Sequence, residues 1–205
     1  MTSITAHNKG KTYPSEIMTH QEISALLQAC NRGLTGERNK ALIVTLWRSG
    51  LRISEALALR PQDIDLERAT LMVLRGKGKK QRQVAIDPGT VEALRTWLTR
   101  RKAIPGINGH AVFCTLMGRA ISTQYVRGLL PRLAEMAGVE KRVHPHCLRH
   151  TAAYDMLSEG IRLDIIQRIL GHSSIAVTAR YIAHLAQPEV QAVIDARVWP
   201  TAALA

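Results

Sequence analysis

The stretch TLMVLRGKGKKQRQVAI, residues 70–86, decides the fold class. Thr70 to Leu74 is short and β-prone, Gly76-Lys77-Gly78 is turn chemistry, and Gln83 to Ile86 is a second apolar run. Two such runs about a glycine-rich turn read as a β-hairpin. On both sides of it the apolar period changes to that of a helix. Upstream, Thr19 to Glu22 forms a capping-box pattern, with Ile23, Leu26 and Leu27 following at helical spacing. A second helix is expected from about Glu37 to Ser49, ending at Gly50. A third starts near Arg52 and stops before Pro61, because proline disfavours helix in the residue preceding it. Downstream, helices are expected over Thr90 to Lys102 and Thr123 to Ala137, with a candidate short strand, Ala111 to Cys114, between them. Further helices follow near His146 to Ser158, Asp164 to Leu170, Ser174 to Ala183 and Pro188 to Val198. The expected fold is α+β, mainly α-helical with a small antiparallel β-sheet or hairpin.

Charge narrows the partners. Across 205 residues, 28 Lys and Arg face 16 Asp and Glu, a net +12. Residues 69–86 hold five basic side chains and no acid, and residues 93–134 hold seven and again no acid. A solvated face is the competing reading of such runs, but two in a strongly basic chain favour a polyanion gripped through its phosphates. Arg75, Lys79, Lys80 and Arg82 in the first run, and Arg119 and Arg127 in the second, are the candidate cations for that grip. Only eight residues are aromatic, so base stacking is a poor expectation. The strongly apolar run Ala41 to Trp47 is far short of the roughly 20 residues of a membrane span, and Met1 to Lys11 has no apolar core of a secretory signal. Cys30, Cys114 and Cys147 are widely spaced and read as reduced thiols of a cytoplasmic protein.

Five segments carry potential chemistry: Gly50 to Glu55, Gly76 to Lys79, His144 to His150, Leu170 to Ser174, and Tyr181. His146 and Arg149 lie at i,i+3, on one helix face. Two arginines, two histidines, a lysine and a tyrosine would form a cationic pocket with a potential nucleophile. Guanidinium forks match the non-bridging oxygens of a phosphodiester and stabilise charge that grows in the transition state. A tyrosine hydroxyl, with a free pKa of about 10, needs a base or strong electrostatic help to attack. The His144, His146, His150 spacing also raises a metal reading. No acid lies between Glu140 and Asp155 to complete such a site, and no metal is expected.

This ordered set resembles the catalytic domain of the tyrosine recombinase, or phage integrase, family. Arg52 and Glu55 stand as in the family's first motif box; His146, Arg149, Leu170-Gly-His172 and Tyr181 stand as in the second. The intervals of 23 residues from Arg149 to His172 and nine from His172 to Tyr181 fit the pattern. The resemblance implies that Tyr181 attacks a DNA phosphate, leaving a 3′-phosphotyrosine and a free 5′-hydroxyl. Arg52 and Arg149 would clamp the non-bridging oxygens, His146 help accept the tyrosine proton, and His172 hydrogen-bond the phosphate. Lys77 would protonate the leaving oxygen, with Lys79 and Lys80 as rivals for that role. Glu55 would orient the surrounding cations, although an acid in a first helical turn is favoured by the dipole in any case. Neither metal nor ATP is implied.

The expected organisation is a flexible lead over residues 1–16 and a catalytic domain over 17–185. A tail over 186–205 would dock on a neighbouring protomer or cap its own domain. The N-terminal core-binding domain of most relatives is expected to be absent. The expected function is site-specific recombination of double-stranded DNA, with self-association into dimers or tetramers and an accessory protein among the expected partners, and no membrane. A relaxing activity of the type IB topoisomerase kind, or a non-catalytic DNA-binding and assembly role, are the alternatives. Tyr125 and Tyr154 read as core, and Cys147 as a buried, inert thiol.

Overall fold

The computed structural model describes residues 17–74, 81–104, 107 and 111–171. Its elements, in order, are α1 (His20–Gln28), α2 (Leu34–Ser49), α3 (Ile53–Leu57), a 3-10 turn (Pro61–Asp63), β1 (Ile64–Asp65), β2 (Thr70–Leu74), β3 (Gln81–Ala85), α4 (Pro88–Arg101), α5 (Thr123–Met136), α6 (Pro145–Ser158) and α7 (Leu163–Leu170). The expected class holds: mostly helical, with a small antiparallel sheet. The expected helices Ser174 to Ala183 and Pro188 to Val198 lie outside the described residues, as do the lead and the tail.

Local chemistry sets the helix ends. The Thr19 hydroxyl accepts from the Glu22 N–H (3.1 Å) while Glu22 Oε2 accepts from the Thr19 N–H (2.7 Å), a full capping box that starts α1. Asp87 and Ser122 accept from the N–H groups of Thr90 and Tyr125 and cap α4 and α5 in the same way. α2 begins one turn before the expected Glu37, with Gly33 as its N-cap. Its end at Gly50 requires glycine twice over. The residue is left-handed (φ 60°), and a Cβ there would stand 2.6 Å from Leu170 Cδ2.

The sheet has the order β1-β2-β3, all antiparallel, with Leu71 opposite Val84 and Val73 opposite Arg82. β3 starts at Gln81 rather than at the expected Gln83. Its backbone pairing with β2 continues through the polar Gln81-Arg82-Gln83, which an apolar-run reading passes over. The short β1 carries no such run and was not expected. In place of the expected strand over Ala111 to Cys114 there is a single antiparallel bridge, Cys114 to Ala120. The turn inside that bridge holds Met117 at 77% exposure.

The core gathers Leu42, Ile43 and Leu46 of α2, Leu71 and Val73 of β2, Leu94 and Trp97 of α4, and Leu148 of α6. Trp97 is fully buried and its indole N–H donates to the Val112 carbonyl (2.9 Å). A second cluster, Ala152, Ala153, Met156, Ile166 and Leu170, packs α7 on α6. Tyr125 and Tyr154 are half-buried, and Tyr125 packs against the core as expected. The Tyr125 hydroxyl also accepts from the buried Arg38 guanidinium. Tyr154 lines an open cavity of about 480 Å³ with Met18, His20 and Asp155. All three cysteines are buried. No described helix is long and apolar enough to cross a membrane.

Candidate functional site

α6 starts at a fixed point. Pro145 occupies its first position, and Nδ1 of His144 accepts from the Cys147 N–H (3.1 Å). That cap makes Nε2 the proton-bearing nitrogen of His144 when the ring is neutral. One turn on, Arg149 is 3% exposed. Its guanidinium donates to the Gly50 carbonyl at the end of α2 and to the Leu170 carbonyl at the end of α7 (2.8 Å). Helix C-termini carry unsatisfied carbonyls and partial negative charge, so two helix ends offset the desolvation of this buried cation. The result joins Gly50, the residue that opens the segment Gly50 to Glu55, to Leu170, the residue that opens Leu-Gly-His172.

Arg52 follows two residues after Gly50 and is the N-cap of α3, in extended conformation (φ −67°, ψ 147°). Glu55 Oε2 accepts from its backbone N–H (2.9 Å) and Glu55 Oε1 from its Nη1 (3.1 Å). Arg82 closes on the same carboxylate as a fork, Nη1 to Oε1 and Nη2 to Oε2, both 2.9 Å. Its Nε donates to the Ile169 carbonyl of α7 (3.2 Å). Burial alone would raise the Glu55 pKa. Hydrogen bonds from Arg82 and the Arg52 N–H, with the charges of both guanidinium groups, outweigh it and bring the value down to about 2. Arg82 and Glu55 are 13% and 9% exposed, whereas Arg52 is 39% exposed. The ion pair is dry and the Arg52 edge is wet.

His146 stands exposed at an open pocket of about 380 Å³, whose wall includes Ile53, Arg127, Arg142 and His144. Desolvation first, then the charges of Arg149, Arg52 and Arg127, push its pKa below the ordinary histidine value. The neutral imidazole that results can accept a proton. His150, with its ring centroid 6.3 Å from that of His146, is pushed to about 4 by burial and then by the neighbouring His146, His144 and Arg149.

The structure thus brings Arg52, Glu55, His146 and Arg149 to one place. Arg127 is exposed at the same pocket, and Arg119 is exposed on the turn before α5. Arg82, expected among the phosphate-gripping cations, instead has three N–H groups engaged by Glu55 and the Ile169 carbonyl. Arg75, Lys77, Lys79, Lys80, His172 and Tyr181 lie outside the described residues. Among the described residues, no group of three or more His, Cys, Asp or Glu side chains could hold a metal ion. Sequence reasoning did not single out Arg142, or His144 as a cap. The Pro145 that follows His144 was the available signal, since proline favours the first helical position. A half-exposed guanidinium beside a neutral imidazole, with a cationic pocket adjoining, can receive a phosphodiester and take up a proton from an attacking hydroxyl.

Residues 16–187 match the model of the phage integrase family. The chain is 39% identical over 181 residues to tyrosine recombinase XerC of Xanthomonas axonopodis pv. citri, an alignment covering 88% of this chain and 58% of the relative. It is 32% identical over 176 residues to the type 1 fimbriae regulatory protein FimB of Escherichia coli K12, covering 86% of this chain and 88% of that one. In three dimensions it resembles the crystal structure of XerA recombinase with a TM-score of 0.79 and 27% identity, over 92% of this chain and 68% of that one. The chain spans about half the length of the XerC relatives it matches.

Proposed function

The chain belongs to the phage integrase family, and from that premise we propose that it cuts and rejoins DNA strands site-specifically through a 3′-phosphotyrosine. The observation that carries this reading is the buried Arg149 guanidinium spanning the Gly50 and Leu170 carbonyls. It ties the helix end before Arg52 to the helix end before His172, with His146 one turn away on α6.

In this reading Tyr181 attacks the scissile phosphorus and the 5′-oxygen departs. The phosphodiester energy is retained in the phosphotyrosine, and a 5′-hydroxyl from another duplex reverses the step. Arg52, through its exposed edge, and Arg149 neutralise the non-bridging oxygens. His146, held neutral by its surroundings, accepts the phenol proton. His172 hydrogen-bonds the phosphate and Lys77 protonates the leaving oxygen. Glu55 fixes Arg52 by its backbone and its side chain at once. Arg127 and Arg119, with Arg75, Lys79 and Lys80, grip flanking phosphates. The substrate is double-stranded DNA, the setting is the cytoplasm, and pairs or tetramers of the chain assemble on the sites, with residues 186–205 docking between protomers.

The test is strand exchange between a nicked and an intact duplex in the presence of EDTA. Duplexes are recovered from a randomised pool by covalent capture on the wild-type chain. Wild-type protein yields recombinant strands and an SDS-stable adduct, and the Tyr181→Phe variant yields neither. An exchange that requires magnesium, or one that survives Tyr181→Phe, overturns the mechanism.

A further inference from the structure

Arg82 connects parts of the site that no sequence motif joins. It lies on β3, immediately after the segment that contains Lys77. Its fork holds both oxygens of Glu55 on α3, and its Nε holds the Ile169 carbonyl on α7. Arg149 takes the next carbonyl, that of Leu170. Two guanidinium groups therefore secure consecutive carbonyls at the end of α7, where a helix favours cations.

We propose that Arg82 is a positioning residue that sets the charge and the aim of Arg52 and anchors the end of α7 from which the chain continues to His172. The inference rests on the phosphotyrosine reading above. Its core is a charge count. Glu55 alone would neutralise Arg52 and pull its edge inward. With Arg82 present, the three groups sum to one positive charge. The carboxylate plane is fixed by the fork, and Glu55 binds Arg52 through one side-chain N–H (Nη1, 3.1 Å) and its backbone N–H. The Arg52 edge that faces solvent keeps its charge for a phosphate. A planar fork makes this arrangement and an ammonium does not. With its side chain 13% exposed, Arg82 is poorly placed to grip flanking DNA.

The experiment uses the full chain and the duplex captured from a randomised pool by the wild-type protein. Single-turnover adduct formation, DNA affinity with its salt dependence, and the Glu55 carboxyl titration by NMR are measured for wild type, Arg82→Gln, Arg82→Lys, Glu55→Gln and the Arg82→Gln/Glu55→Gln pair. Arg82→Gln is expected to slow adduct formation roughly 10- to 100-fold, by analogy with the loss when a hydrogen-bond partner that orients a metal ligand is removed. Affinity and salt slope stay as in wild type, the Glu55 pKa rises, and Arg82→Lys falls between. The pair cleaves faster than Arg82→Gln alone, because removing the carboxylate that otherwise neutralises Arg52 returns its charge. Urea unfolding of the same variants is measured alongside: a merely structural role gives adduct rates that follow the folded fraction, whereas the positioning role changes the rate of fully folded protein.

The inference is overturned if Arg82→Gln cleaves at the wild-type rate or if the pair is no faster than the single variant. It is also overturned if affinity falls with a salt slope reduced by about one, the mark of a lost phosphate contact. Should Arg82→Gln fail to fold, Arg82→Lys, which keeps the charge but not the planar fork, carries the test: slowed adduct formation at unchanged affinity and salt slope supports the inference, and a wild-type rate overturns it. A wild-type chain that captures no duplex refutes the phosphotyrosine reading and the inference with it. Normal wild-type capture with an unaffected Arg82→Gln refutes the inference alone.

Discussion

Gly50 and Leu170 meet so closely that a single added methyl would collide: a Cβ on Gly50 would lie 2.6 Å from Leu170 Cδ2. The carbonyls of the same two residues are both held by Arg149. Contact of side chain with backbone and hydrogen bonding through a third residue therefore fix one junction, between the end of α2 and the end of α7.

That junction predicts a coupled pair of variants. Gly50→Ala places a side chain in left-handed backbone, costing about 1–2 kcal/mol, and adds overpacking of about 1–3 kcal/mol. Leu170→Ala destabilises by leaving a cavity. Urea unfolding of the double variant is expected to show less than the sum of the two losses, since removing Leu170 relieves the overpacking. Strict additivity would contradict the packing described.

Arg149→Ala is expected to cost about 3 kcal/mol of stability, because it leaves two buried carbonyls unsatisfied at about 1–3 kcal/mol each. Denaturant unfolding measures this. A loss below about 0.5 kcal/mol would mean that the helix ends find other partners.

The sequence made this site legible only in part. The order of the motifs located Arg52, Glu55, His146 and Arg149, and the hairpin was legible because β-prone residues flank a glycine turn. The role of Arg82 was not legible, since its strand neighbours Gln81 and Gln83 are polar and the run reads as solvent-facing. What turns it inward is a carboxylate 27 residues away, and no local pattern carries that. The start of α2 was missed for a similar reason. A Cβ at Gly36 would collide with the Asn31 carbonyl, so the first turn is fixed by close backbone approach rather than by apolar spacing.

Acid should weaken the fold through Glu55. Its folded pKa, about 2, lies below the ordinary 4.5. The contribution is thus complete above about pH 4.5 and lost as pH falls towards 2, on the order of 3 kcal/mol in all. Stability measured from pH 5 to 2 should decline less steeply in Glu55→Gln than in wild type. Parallel curves would contradict the pairing with Arg82 and Arg52.

The histidines act in a higher window. His146 and His150 both have folded pKa values below 6.5, His150 at about 4. The unfolded chain therefore binds more protons than the folded one between about pH 6.5 and 4, and stability falls as pH drops through that range. Imidazole NMR titration of the native chain should find His146 below 6.5, rising in Arg127→Ala. An unshifted His146 would remove the neutral proton acceptor from the account.

The most direct measurement is the site of covalent attachment. The wild-type chain is incubated in EDTA with a nicked duplex captured from a randomised pool and radiolabelled at the 5′ end of the strand to be cut, denatured, digested with trypsin, and the DNA-linked peptide sequenced by mass spectrometry. A 3′-phosphate esterified to Tyr181, with a free 5′-hydroxyl on the released strand, is the predicted result. Attachment at another residue, linkage to a 5′-phosphate, or cleavage without any protein–DNA bond would contradict it.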